Sequence, residues 1–369
     1  MTRNTRTGLF GLVAAGLLLA ACGGGGGYGG GMGNSSGPPM ASGFTVTSLV
    51  TDTSLGAYAT SQRDTRLVNA WGVAFNPQGF VWVANNGTST STLYDGNGVP
   101  QSLVVTTPDA PTGIVFNASS TDFKLTSGGA SGASPFIFAT EGGQIAAWAP
   151  SVAATAALGV YDGSAGAASY KGLAIAMNGA ANQLYATDFH NGRVDVFDAG
   201  FHLLASGATA FRDPGLPAGY APFGIQALGG RIYVAYAKQD STAHDATLGA
   251  GLGVVDVYDT AGALIKELVV GGALNAPWGL AMAPASGFGA FNGALLVGNF
   301  GDGKINAYDP TSGALLGTLS RSDGAAIVID GLWGIAFGNG LNAQPTTTLF
   351  FAAGPNDETH GVYGRITAN

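Results

Sequence analysis

Four oxygen-bearing side chains, Asn85, Glu141, Asp188 and Asn299, stand at or just beyond the ends of short apolar runs that read as β-strands: 80–84, 136–139, 184–186 and 295–297. Carboxylate and amide oxygens are what a hard cation such as Ca²⁺ takes, six to eight of them at about 2.4 Å. If the four run-ends face one point, an ion held there would polarise an ester or lactone carbonyl. His190, close behind Asp188, is the candidate acid or base for such a reaction. The same residue types also form turns by accepting nearby backbone N–H groups, and that role needs no ion.

A second set offers surface rather than charge. Trp71, Phe223, Trp278 and Trp333 each stand immediately before a glycine that opens an apolar run. Rings at such positions either wedge between packed elements or form a collar on which a sugar or other flat ligand stacks. Other chemistry is thinly represented. Outside the glycine-rich stretch 22–43 there is no G-x-S-x-G elbow, and the chain has no phosphate-binding G-x-x-x-x-G-K-[ST] loop and no H-E-x-x-H helix; the histidines are only His190, His202, His244 and His360.

What must position these residues is a repeat. Gly72, Gly113, Gly172, Gly224, Gly279 and Gly334 lie 41, 59, 52, 55 and 55 residues apart, and each is followed by apolar residues, a turn and a second strand. Units of that length hold about four short strands, the size of a β-propeller blade. Gly142-Gly143, Asn191-Gly192 and Asp302-Gly303 fall between second and third strands, where tight hairpins need positive φ. The chain therefore reads as an all-β, six-bladed β-propeller with four-stranded antiparallel blades over 44–369. The sixth unit ends without a fourth strand, while Phe44–Val50 precedes the first unit with no partner. The N-terminal strand is expected to complete the last blade and remove both sheet edges.

Composition agrees with a large core joined by tight turns: 62 glycines, 46% hydrophobic residues and only 10% charged ones. The formal charge of −8 argues against binding a nucleic-acid backbone. Arg3 and Arg6, the apolar stretch Leu9–Leu19 and the sequence Leu19-Ala20-Ala21-Cys22 resemble a bacterial lipoprotein signal, with cleavage after residue 21 and acylation of Cys22. Cys22 is the single cysteine, so no intramolecular disulfide is available. Gly23 in place of Asp implies the outer membrane where two membranes exist. Residues 22–43 are mostly glycine and read as a lipid-anchored tether.

Four longer motifs carry a family resemblance: Asn69–Phe75, Tyr185–Phe197, Val297–Gly303 and Ala353–Gly361. Together they resemble an uncharacterised family of exported bacterial six-bladed propellers, related in style to NHL-repeat proteins, over about 44–366. That resemblance implies fold and location but supplies no catalytic residue. The Asn85, Glu141, Asp188 and Asn299 set is similar in type to the ligands of calcium-dependent lactonase propellers, without a shared motif. Two readings follow. The first is a lipid-anchored binding or scaffolding module for an extracellular polymer, peptide or envelope protein; the second is a Ca²⁺-dependent hydrolase or lactonase.

Overall fold

The computed structural model describes residues 43–54, 62–205, 207 and 209–369. The expected leader, the acylated Cys22 and nearly all of the tether lie outside the described residues. Among the described residues no helix is long and apolar enough to cross a membrane.

Six antiparallel sheets follow one another along the chain. β1 (Phe44–Thr51) and the short β2 (Gln62–Arg63) come first. Blade 1 is β3 (Ala70–Phe75), β4 (Val81–Asn85), β5 (Thr90–Tyr94) and β6 (Pro100–Thr106). Blade 2 begins with β7 (Pro111–Phe116), inserts the hairpin β8 (Lys124–Ser127) and β9 (Ala130–Ala133), and continues with β10 (Phe136–Thr140), β11 (Gln144–Trp148) and β12 (Leu158–Asp162). Blade 3 holds β13 (Tyr170–Asn178), β14 (Ala181–Asp188) and β15 (Arg193–Phe197). Blade 4 is β16 (Tyr220–Leu228), β17 (Arg231–Lys238), β18 (Val254–Tyr258) and β19 (Leu264–Val270). Blade 5 is β20 (Pro277–Met282), β21 (Leu295–Asn299), β22 (Ile305–Tyr308) and β23 (Leu315–Thr318). Blade 6 takes β24 (Leu332–Phe337), β25 (Leu349–Ala353) and β26 (Val362–Ala368) from the end of the chain.

The fourth strand of blade 6 is β1. It pairs antiparallel with β26 from Phe44 opposite Ala368 to Thr51 opposite Val362, with one irregularity between Ser48 and Val50. β2 then adds in parallel to its outer edge. Blade 3 departs from the four-strand pattern: among the described residues, β15 has only an isolated bridge, Phe197 to Leu203, on its outer side. The segment that follows carries Pro214, Gly215, Pro217 and Gly219, which interrupt a strand ladder.

The strands are apolar on both faces because each blade packs against two neighbours. On β4, Val81 and Val83 join the seam with blade 6, whereas Trp82 and Ala84 join the seam with blade 2. Each of the six seams has its own cluster of buried residues, and a seventh cluster sits at the hub. The repeated glycines set the ring diameter. A Cβ at Gly224 would stand 2.0 Å from the Trp278 carbonyl oxygen, one at Gly279 2.5 Å from that of Trp333, and one at Gly334 2.5 Å from that of Trp71. Each blade therefore touches the backbone of the next at the spot where the first has no side chain, and the series returns to blade 1. The hairpin glycines behave as their sequence positions require: Gly143, Gly192 and Gly303 have φ of 78°, 63° and 66°.

Candidate functional site

All six innermost strands start at one face and run to the other, so the residues before the hub glycines meet at one mouth of the axis. In blade order they are Trp71, Thr112, Lys171, Phe223, Trp278 and Trp333. The aromatic ones pack on one another. Trp71 stacks on Trp333 with centroids 3.7 Å apart, Trp278 meets both edge-on at 6.1 and 5.8 Å, and Phe223 meets Trp333 at 5.7 Å. Phe300 stacks on Trp333 at 4.0 Å, and Phe189 lies 5.0 Å from Phe223. Trp71, Phe223 and Trp333 are each only 2% exposed. The rings lie across the axis and belong to no seam, so they act as a plug, and their faces are taken up by each other.

Polar groups hold the plug and build a charged cup against it. Asn69 Oδ1 accepts both indole N–H groups, from Trp71 at 2.9 Å and from Trp333 at 3.1 Å. Asn69 Nδ2 donates to Glu358 at 2.8 Å and to Asn86 at 3.2 Å. Asn86 in turn donates to Glu141 Oε2 at 2.8 Å, and Trp278 Nε1 donates to the Lys171 carbonyl at 2.8 Å. Lys171 is the one charged residue among the six mouth positions, and it is 1% exposed. Its ammonium pairs with Glu141 Oε1, lies 3.5 Å from Asp245 Oδ1 and sits 5.5 Å from the Trp71 ring centre. A buried ammonium needs this much compensation, and a cation over an indole face adds to it.

Three acids, Glu141, Asp245 and Glu358, thus surround one base, and His244 lies beside Asp245 at 3.2 Å. Burial, then the charge of Glu141, push the Glu358 carboxyl up to about 7, against the lowering effects of Asn69 and Lys171. Near neutral pH that group exchanges a proton readily. Five blades contribute: blade 1 through Asn69 and Asn86, blade 2 through Glu141, blade 3 through Lys171, blade 4 through the β17–β18 loop and blade 6 through Glu358.

Of the four candidate metal ligands, Glu141 alone enters this cup. Asn85 donates to Thr90 and Thr92 within its own blade at 3.1 and 3.0 Å. Asp188 accepts from Ser169 and Asn191 and pairs with Arg193 at 3.0 Å, while burial raises its pKa. Asn299 donates to Ala273 and Asp302. No hydrogen bond or ion pair joins Asn85, Glu141, Asp188 and Asn299 to one another among the described residues. His190 is half-buried, and its carbonyl accepts from Gln239 at 3.3 Å.

Sequence reasoning missed Asn69, Asp245, Glu358, Phe189 and Phe300 as parts of the mouth. Phe189 and Phe300 had a signal, since each follows the last residue of a second strand. Glu358 had none of that kind, because it sits in a run of positive φ, Asn356 to Glu358, that breaks the repeat.

Below the plug the axis is a shaft of about 30 Å³ lined by Val73, Ile114, Leu173, Ile225, Leu280 and Ile335. That volume admits water and excludes a larger ligand. The far mouth opens into a cavity of about 260 Å³ between Phe75, Phe116, Ile175 and Gln226.

No family model matches the chain. A solved protein of unknown function from Bacteroides thetaiotaomicron superposes with a TM-score of 0.53 at 10% identity, over 88% of this chain and 76% of its own, which speaks to fold alone. Among curated proteins, uncharacterised protein R648 of Acanthamoeba polyphaga mimivirus is 32% identical over 318 residues, covering 82% of this chain and 76% of R648. Uncharacterised protein L690 of the same virus is also 32% identical over 318 residues, covering 82% of this chain and 81% of L690. The chain belongs to the family of these uncharacterised mimivirus proteins.

Proposed function

We propose that the protein is a binding propeller whose ligand seat is the carboxylate-lined cup over the tryptophan plug, and that it takes a cationic group of a peptide or an amino-sugar polymer. The observation that carries this reading is the meeting of Glu141, Asp245 and Glu358 around a single compensating ammonium. With two or three carboxylates against one lysine, the cup keeps a net negative charge that a ligand amine or guanidinium would neutralise. The buried rings serve as a rigid floor that fixes Asn69 and Lys171 in place.

Calorimetric titration tests this with oligolysine and chitosan oligomers against neutral dextran. Saturable binding of the cationic probes, weakened at least tenfold by Glu141→Gln, is the expected result; equal uptake of dextran or no effect of Glu141→Gln would overturn it. The proposed setting is an exported, lipid-anchored scaffold on the envelope, and it rests on Arg3, Arg6, Leu9–Leu19 and Cys22 alone. Metabolic labelling with a fatty acid, lost in Cys22→Ser, is its test.

A second reading, metal-assisted hydrolysis of an ester or lactone, draws on one observation. Glu141, His244 and Asp245 each place a donor atom within 4.8 Å of the others. A divalent ion there would have to displace the Lys171 ammonium from two carboxylates, so the fit is poorer than for a ligand that joins the existing network. The candidate ligands Asn85, Asp188 and Asn299 take no part in it. Metal-dependent ester or lactone cleavage abolished by chelation and by His244→Ala would favour this reading over the first.

A further inference from the structure

The carboxylates of the cup already have part of their accepting capacity in use. Glu141 has both oxygens engaged: Oε1 pairs with the Lys171 ammonium, and Oε2 accepts from Asn86 at 2.8 Å. Asp245 has one engaged, since Oδ1 faces His244 Nδ1 at 3.2 Å and Lys171 Nζ at 3.5 Å. Glu358 also has one engaged, Oε2 accepting from Asn69 at 2.8 Å. Glu141 and Asp245 stand close enough to act together, with carboxylate oxygens within 4.8 Å of each other. No acid of the cup therefore presents a clear pair of oxygens.

That pattern bears differently on the two cations a polymer can carry. A guanidinium draws its advantage from two parallel N–H bonds to both oxygens of one carboxylate. Arg193 shows what this requires. It reaches Asp195 Oδ1 at 2.7 Å, but its second bond, to Oδ2, is 3.3 Å long, and that oxygen also accepts from the Tyr170 hydroxyl at 2.8 Å. One competing donor has already lengthened the fork. An ammonium is compact, with three donors that point in separate directions, so it can take one oxygen from each of two acids. Lys171 does so from the buried side of the cup, sharing Nζ between Glu141 Oε1 and Asp245 Oδ1.

We propose that the cup selects a primary ammonium over a guanidinium, the ligand nitrogen sharing Glu141 and Asp245 from the solvent side as Lys171 shares them from below. The inference rests on the cup being the ligand seat, and it narrows the cation taken there to an amine. Asp245 is the acid most open to solvent, its side chain 71% exposed against 22% for Glu141. His244 is then the residue that sets the selectivity, because it faces the Asp245 oxygen that a guanidinium fork would need.

Calorimetric titration of the full chain at pH 8 with tetralysine, tetra-arginine and tetralysine trimethylated on its side-chain amines tests the proposal. The three probes carry the same side-chain charge and differ in the N–H donors they present. Tetralysine is expected to bind at least tenfold more tightly than either of the others. His244→Ala, at an exposed position, should shrink the ratio of tetralysine to tetra-arginine affinity, since Asp245 Oδ1 then faces only the more distant Lys171. Equal affinities for tetralysine and tetra-arginine, both lost in Glu141→Gln, would overturn the selectivity and leave the cup as a seat for any cation. Trimethylated tetralysine binding as tightly as tetralysine would overturn it as well, as would a ratio unmoved by His244→Ala. Absence of saturable binding by every probe would remove the seat itself, and the selectivity with it.

Discussion

Asn69 and Glu358 carry the sharpest consequences of the mouth geometry. Asn69→Ala would strip two buried indole N–H groups of their acceptor, at about 1–3 kcal/mol for each unsatisfied donor. A lower denaturation midpoint with unchanged m-value, and red-shifted tryptophan emission, is the expected outcome in a urea titration. Glu358 makes its own pH signature. Its carboxyl titrates near 7 in the folded protein, facing Glu141, Asp245 and Lys171, but near its ordinary value, about 4.3, once unfolded. The folded state therefore holds an extra proton between those values, and its stability falls as pH rises through that window and levels off above it. Melting curves from pH 4.5 to 8 should show this slope reduced in Glu358→Gln relative to the parent; parallel slopes would assign it to other groups such as Asp256. Lys171 was visible in the sequence as the single charge among Trp71, Thr112, Phe223, Trp278 and Trp333. Glu141 was likewise a candidate, whereas Asp245 and Glu358 were not, because they come from loops that do not keep the repeat.

The strands show how far periodicity reaches. Runs such as Val81–Asn85 and Leu295–Asn299 are apolar on both faces, and burial against two neighbouring blades is the physical reason. The hub glycines were equally legible, and their role is steric. Gly224→Ala would drive a methyl into the Trp278 carbonyl, an overpacking worth about 1–3 kcal/mol. Gly166→Ala, where nothing lies within 4 Å, is the matched control. A melting point lowered by the first and nearly unmoved by the second is expected. What the repeat hid was irregularity: the β8–β9 hairpin, the outer side of blade 3 left to one bridge, and the parallel β2. These arise from turn and proline chemistry between strands, to which a pattern of apolar residues is blind.

At the scale of the whole molecule, the ring closes through β1 in blade 6 and through the glycine contacts that return from Gly334 to Trp71. Removing residues 44–51 would expose the edge of β26 and strip Phe288 and Phe291 of blade 5 of the Phe44 ring that packs on them; loss of a cooperative melting transition is expected, and an unchanged one would contradict the closure. Closure is also what brings Asn69 and Glu358, near opposite ends of the chain, into a hydrogen bond. The propeller was readable from spacing alone, whereas the contents of its mouth depended on which loops folded inward. The proposal of a cation-binding cup over a sealed shaft is tested most directly by tryptophan fluorescence of the full chain titrated with oligolysine at pH 8 and pH 5.5. The account expects a saturable change at pH 8 that weakens at pH 5.5 as Glu358 takes up its proton, and that disappears in Glu141→Gln/Asp245→Asn. A flat titration at both pH values, or the same curve in that double variant, would contradict it.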